Sequence, residues 1–428
     1  MRDLYNKGGV FFMKGTNYPN RWLIALAGIV MQICLGTVYG WSVFTKPLMA
    51  AHNWSNSEVT LTFTIAIGFL AISSAAGGYI LDTKGARIVA TIGGILFGLG
   101  TLITGYGDQI GSLTVIYIGY GLVCGLGLGF GYITPIATLV KWFPDKRGLI
   151  TGLAVMGFGL GSLMLTMLSP GMIASMGTAM TFYIFGGIFL VAVTGAAQLM
   201  VEPPIDYVPA GWMPPIGKKA SDGMTLGQAV GSKYFYLLWA MLFLNITAGI
   251  ALISQASPMA QELMPSTMSV GEKAMQAGVI LGLFAIVNGL GRLFWASVSD
   301  KIGRRTVFFI LFSTQAIAFY FLSGTQDMMM FTIICSYIYA CYGGGFSTMP
   351  AYAADIFGTK YVGRIYGWML TAWGAAGIMG PMLFSRIRQA SGNYSEALII
   401  TAVGLAIALV LPLLAAPSKA KIEDAKVA

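Results

Sequence analysis

Arg292 and Asn288 are the residues whose type and spacing could do chemistry. They lie in AIVNGLGRLFWASVSDKIGRR (Ala285 to Arg305), which begins as an apolar helix and ends in a charged turn. Four residues apart, their side chains leave one helix face. A charge at the middle of a bilayer costs about 2.5–3.5 kcal/mol even on insertion scales, so it is seldom idle. A guanidinium presents five N–H donors in a planar fork that fits a carboxylate bidentately. Such a charge-assisted bond contributes roughly 1.5–3 kcal/mol net, enough to select an anion and little enough to release it. The chemistry expected at Arg292 is reversible capture of the carboxylate of a small organic acid. Asn288 is placed to orient the fork or to bond a substrate hydroxyl. Gly289 and Gly291 keep the helix slim.

The elements that must hold these residues are membrane helices. The chain has 428 residues, is 56% hydrophobic and 10% charged, and has a mean hydropathy of +0.75. A spanning helix needs about 20 mostly apolar residues, and about twelve such runs fill most of the chain. Runs of this length exclude barrel strands, so an all-α membrane protein is expected. The first run, about Trp22 to Phe44, is too long for a signal-peptide core and lacks a small-residue cleavage site.

The net charge of +9 does not point to nucleic acid, because of where it sits. Of the 25 Lys and Arg, 20 fall in the termini and alternate loops. Four (Lys46, Lys273, Arg386, Arg388) fall in the opposite loops, and Arg292 lies inside a span. That bias puts both termini in the cytoplasm. Cys34, Cys124, Cys335 and Cys341 all fall within spans and read as packing residues. The single histidine, His52, beside Asn53 and Trp54, reads as solvated. No metal site or cofactor is expected.

The stretch Val201 to Met224 is a linker by composition, with Pro203, Pro204, Pro209, Pro214, Pro215, Lys218 and Lys219. It divides the chain into a six-span bundle at 1–200, a linker at 201–233 ending in a possible interfacial helix from Thr225 to Lys233, and a second six-span bundle at 234–428. A weak repeat supports the two halves. Asp82-Thr83-Lys84-Gly85-Ala86-Arg87 follows the second span of the first half, and Asp300-Lys301-Ile302-Gly303-Arg304-Arg305 the second span of the second. Parallel repeats are a transporter architecture, with the ligand at the midplane between them. Gly121, Gly125 and Gly129 in the fourth span form a face for close helix contact.

These turns resemble the signature turn of the major facilitator superfamily. LVKWFPDKRGLITGLAVMGFGLG is similar to the loop between spans four and five in its oxalate/formate antiporters and monocarboxylate transporters. ADIFGTKYVGRIYGW (Ala354 to Trp368) resembles the loop between spans ten and eleven in the former. Arg292, with Gly291, Phe294 and Trp295, looks like the substrate-binding arginine of both groups. The resemblance covers nearly the whole chain and is closest in character to bacterial L-lactate transporters. It implies two pseudo-symmetric six-helix bundles, alternating access, and a small monocarboxylate anion as substrate.

The resemblance also implies site residues. Tyr132 matches a binding-site tyrosine of the oxalate carrier, and Tyr342 and Phe346 match its span-ten aromatics. Tyr39 is a further candidate. Trp373 stands where that carrier has a second cation, a lysine, which favours one carboxylate over two. The aspartate that animal monocarboxylate transporters carry one turn before the arginine is Asn288 here. Trp41 and Trp368 read as interfacial anchors.

The charges Asp82, Arg87, Asp145, Arg147, Asp300 and Arg304, with Asp355 and Arg364, read as gating ion pairs at the cytoplasmic face. No Asp, Glu or His falls deep inside a span, so the usual carboxylate proton relay is not on offer. Either a proton travels with the anion, on the substrate or through the Arg292–tyrosine site, or one anion is exchanged for another. Proton-linked symport by a monomer in the cell (inner) membrane is expected. A membrane enzyme would need a nucleophile with its base, a metal cluster or paired carboxylates, and none is present.

Overall fold

The computed structural model describes residues 20–204, 207–209, 211–212 and 223–415. Both tails, and the linker residues Pro214, Pro215, Lys218 and Lys219, lie outside them. The first span is α1 (Arg21–Gly36) and α2 (Ser42–His52), joined by a 3-10 turn, Thr37–Gly40. The second and third are α3 (Asn56–Lys84) and α4 (Ala86–Gln109). The fourth starts as α5 (Leu113–Ile116), passes through a π-helical stretch, Tyr117–Cys124, and continues as α6 (Gly125–Trp142). The next helix, α7 (Arg147–Ala197), has 51 residues. At 1.5 Å per residue that is about 75 Å, far more than one hydrocarbon core. It is two crossings joined at Gly177, whose φ of 82° is non-helical.

The short α8 (Leu226–Val230) is held by a capping box between Thr225 and Gln228, at the place expected for an interfacial helix. Four long helices follow: α9 (Lys233–Leu263), α10 (Val270–Ile302), α11 (Arg304–Ser323) and α12 (Met328–Phe357). The eleventh span is broken into α13 (Val362–Met369) and α14 (Thr371–Ser391). The last is α15 (Ser395–Ala408) and α16 (Val410–Leu414). Ten segments are individually long and apolar enough to cross a membrane. The double crossing of α7 and the broken eleventh span complete the expected twelve.

Packing divides the helices into two groups. In the first, α1, α4 and α6 pack on α7, and α1, α3 and α4 pack on α6; in the second, α10, α11 and α12 pack together, as do α9 and α14. The groups meet where α7 lies on α10 and α3 lies on α13. Glycine makes those approaches possible. A Cβ on Gly148 would fall 1.9 Å from the Ala296 carbonyl oxygen, and one on Gly78 would fall 2.2 Å from that of Gly363. The Gly121, Gly125 and Gly129 face of the fourth span packs on α3. Residues 131–140 of α6 and 341–354 of α12 are buried without a break, so these helices are enclosed on all sides and line the middle of the molecule.

Candidate functional site

The guanidinium of Arg292 is buried at the seam between the two groups (2% exposed). Its Nε donates to Asn288 Oδ1 (3.1 Å), and Asn288 Nδ2 donates to the Tyr339 carbonyl (2.8 Å). Of the two roles open to Asn288, the geometry gives the first: it orients the fork, and its own amide donor is engaged by α12. Arg292 Nη1 donates across the seam to the Val155 carbonyl of α7 (3.2 Å). Arg292 therefore ties the two halves together at the centre of the protein.

Aromatic rings close around it. The Arg292 Cζ stands 5.4 Å from the Phe346 ring centroid. Trp373 meets Phe346 edge-on at 5.2 Å and lies 5.7 Å from Tyr132 and 6.1 Å from Tyr39. Tyr342 interacts with the Arg292 charge and with Tyr39. All seven substrate-site residues expected from the sequence thus converge, from five separate segments. Breaks in two spans help to place them. Tyr39 sits in the 3-10 turn between α1 and α2, and Trp373 follows the break at Leu370.

Two members of the cluster were not expected. Phe158 of α7 packs 5.1 Å from Tyr39 and 5.3 Å from Tyr132. Tyr366 of α13 is 1% exposed and interacts with both Tyr132 and Arg292. The YGW string that served to align Trp373 contains Tyr366, so the signal lay in view. Phe158, between two glycines, carried none.

The tyrosines on the fourth and tenth spans are positioned by matching tethers. Gln32 Nε2 of the first span donates to the Tyr132 carbonyl (3.2 Å). Asn245 Nδ2 of the seventh donates to the Tyr342 carbonyl (3.0 Å) and is itself backed by Gln315 Nε2 (3.2 Å). The first-to-fourth contact of one half is repeated as the seventh-to-tenth contact of the other.

The expected gating charges gather at the end that carries the signature turns. Asp300 accepts from the backbone N–H groups of Gly148 (2.8 Å) and Leu149 (2.9 Å) at the start of α7, and from Arg304 Nη2 (2.5 Å). Asp82 accepts from the Arg364 N–H (3.2 Å) at the start of α13, with Lys141 and Arg364 side chains at 3.8 and 3.9 Å. Each aspartate thus caps a helix of the opposite half, where the helix dipole favours a negative charge. Arg147 crosses to Asp355 (2.6 Å), which Arg304 also meets (3.1 Å).

Asp145 pairs with Arg21 inside its own half (2.6 Å). Arg87 makes no ion pair among the described residues, and its Nε is buried without a hydrogen-bond partner. Lys141 and Arg364 are the cations that meet Asp82.

Nor is His52 simply solvated. Its Nε2 lies 2.7 Å from Asp108 Oδ1, and its ring stacks on Trp54. Asp108, which also accepts from Thr178 Oγ1, is buried although it sits at a span end. Trp41 is buried too and donates to the Val59 carbonyl (3.1 Å), whereas Trp368 is exposed. The four cysteines are unpaired and buried. Among the described residues no three His, Cys, Asp or Glu side chains gather as a metal site.

Among the described residues, no hydrogen bond or ion pair joins the halves at the end opposite the turns. Two helix bundles tied at one end, with a buried cation and an aromatic cage between them, define a membrane carrier. The chain belongs to the major facilitator superfamily, whose family model matches residues 24–381 and 238–427. It is a multi-pass membrane transporter and not an enzyme.

The chain is 30% identical over 374 residues to an uncharacterized MFS-type transporter, YhjX, of Escherichia coli (86% of this chain, 88% of that one). It is 28% identical to the oxalate:formate antiporter of Oxalobacter formigenes (92% and 90%). Monocarboxylate transporter 14 of Mus musculus is 22% identical (91% and 90%). Both groups named in the sequence resemblance are therefore among its relatives. Its fold matches that of FucP in the outward conformation, with a TM-score of 0.71, 14% identity, and 92% and 99% coverage.

Proposed function

We propose that the protein moves a small monocarboxylate such as L-lactate across the cell (inner) membrane by alternating access, as a proton-linked symporter acting as a monomer. The observation that carries this reading is a guanidinium with no second cation beside it among the described residues, inside an aromatic cage at the seam. One fixed positive charge balances one carboxylate. The rings of Tyr39, Tyr132, Phe158, Phe346 and Trp373 offer an apolar wall to the body of a small acid.

In this reading the bundles at 1–200 and 234–428 rock about the site, with residues 201–233 as tether. The turn end and both termini face the cytoplasm, a reading that the placement of Lys and Arg supports. An anion arriving from the opposite end competes with the Val155 carbonyl for Arg292 Nη1. Taking that donor loosens α7 from α10, and the ties of Asp82 and Asp300 then decide when the turn end opens. These caps contribute about 1 kcal/mol per hydrogen bond, enough to bias a near-balanced equilibrium. A proton accompanies the anion, on the substrate or at the Arg292–tyrosine site.

A second reading is organic-anion exchange. It is favoured by the relative named as an oxalate:formate antiporter and by the lack, among the described residues, of an acidic side chain in the site that could return a proton. Uptake of labelled L-lactate into proteoliposomes with an inward proton gradient separates the two. Accumulation that a protonophore abolishes supports symport. Uptake that requires an organic anion preloaded inside supports exchange.

A further inference from the structure

Two phenol hydroxyls in the site, Tyr132 Oη and Tyr366 Oη, are buried and lack a hydrogen-bond partner. They come from opposite halves, α6 and α13, both feel the Arg292 charge, and they lie close enough to bond weakly to each other, short of full hydrogen-bond geometry. A buried donor without a well-aligned acceptor is costly, and of two hydroxyls that meet only each other at least one donor is left over. Neither ring needs its hydroxyl for packing, since phenylalanine offers the same ring. Poorly satisfied donors near one cation are the complement of an anion.

Arg292 has five N–H groups, of which Asn288 and Val155 engage two. A carboxylate has about four acceptor positions on its two oxygens, and the edge of one guanidinium fills two. We propose that Tyr366, together with Tyr132, donates its hydroxyl to the carboxylate held by Arg292. The inference rests on the reading of Arg292 as the anion site. Two neutral donors then complete the coordination that a second cation would otherwise supply. This makes the pair a specificity determinant. Phenols add hydrogen bonds without adding charge, so a second carboxylate on the substrate finds nothing to balance it. Because the hydroxyls belong to opposite halves, the bound anion also bridges α6 and α13 across the seam.

The test compares Tyr366→Phe, Tyr132→Phe and the unmodified protein, purified in detergent, with L-lactate, formate and oxalate as probes. Thermal melting and tryptophan fluorescence are the readouts, the latter sensitive to Trp373 beside Tyr132. The expected result has two parts. Each variant without anion melts no lower than the unmodified protein, because an unpaired hydroxyl has been removed. Each binds L-lactate about tenfold more weakly, the loss of one hydrogen bond to a charged group.

Unchanged L-lactate affinity in Tyr366→Phe overturns the proposal, with or without slower transport. So does a lower melting temperature of that variant before anion is added, since the hydroxyl would then have another partner. The reading of Arg292 is judged separately. If the unmodified protein binds none of the three anions, that reading fails and takes this one with it. If it binds them and Tyr366→Phe binds equally well, only the role of Tyr366 fails.

Discussion

α3 and α10 are the same helix at both ends and different helices in the middle. Each starts at a capping box, Ser55 with Glu58 and Ser269 with Glu272. Each ends at a glycine of nearly identical conformation, Gly85 (φ 89°) and Gly303 (φ 88°). Each bears an aspartate three residues before that glycine that reaches a backbone N–H of the other half. Eight residues before the aspartate the likeness ends: α3 has Ser74, bonded to the Gly129 carbonyl (3.4 Å), and α10 has Arg292. Four residues further back α3 has Leu70 and α10 has Asn288. Symmetry was kept where the two halves must open and close against each other. It was given up at the centre, where Arg292 lies among the aromatic rings.

Removing the asymmetry at its centre should have the largest effect. Arg292→Lys keeps the charge but loses the planar fork, the Asn288 bond geometry and the reach to Val155. Transport of L-lactate in proteoliposomes is expected to fall about 30-fold or more, the upper part of the range for a charge-assisted bond. Near-normal uptake at normal expression would remove Arg292 from the site.

Asn288→Leu gives α10 the residue that α3 carries at that register. Arg292 Nε then lacks its acceptor and the Tyr339 carbonyl lacks its donor. Misorienting the fork while leaving the charge should raise KM for L-lactate about five- to tenfold, from the loss of hydrogen bonds worth about 1 kcal/mol each. A fall in maximal rate with KM unchanged would mean that Asn288 acts on the opening step and not on the anion.

The two ends, though alike in sequence, differ in strength. Asp300 holds two backbone N–H groups at 2.8 and 2.9 Å, whereas Asp82 holds one at 3.2 Å with its cations near 4 Å. Asp300→Asn should therefore loosen the turn end more than Asp82→Asn. Hydrogen exchange at residues 148–149 and 364 measures this, with about a fivefold faster exchange expected at the former in Asp300→Asn, or roughly 1 kcal/mol. Equal effects would show that the long-range charges, and not the caps, hold the gate.

The sequence disclosed types better than partners. Hydropathy and the Lys and Arg bias marked the spans and turns, because lipid tolerates little else in those places. Arg292 stood out because its cost in a bilayer is high. Phe158 and Tyr366 did not, because an aromatic residue in a span is ordinary until its neighbours are known. The 3-10 turn that aims Tyr39 depends on Gly36 lying against Phe158, 122 residues away, where a Cβ would fall 1.8 Å from a carbonyl oxygen. His52 found its carboxylate 56 residues away. Arg87 shows the converse: its charge was visible, but that Lys141 and Arg364 are the cations beside Asp82 was not.

The smallest effect tests the likeness itself. Gly85 and Gly303 both have φ near +90° and both have open space where a Cβ would stand. Alanine at either position meets no clash, so its cost is backbone strain alone, about 1–3 kcal/mol. Because the two conformations agree within a degree in φ and 13° in ψ (161° and 148°), the costs should be equal. Gly85→Ala and Gly303→Ala are expected to lower Tm by the same few degrees and to leave L-lactate affinity unchanged, since neither touches the midplane. Unequal shifts would mean that the turns, alike in shape, bear different loads, and the difference should then follow the unequal grip of Asp300 and Asp82.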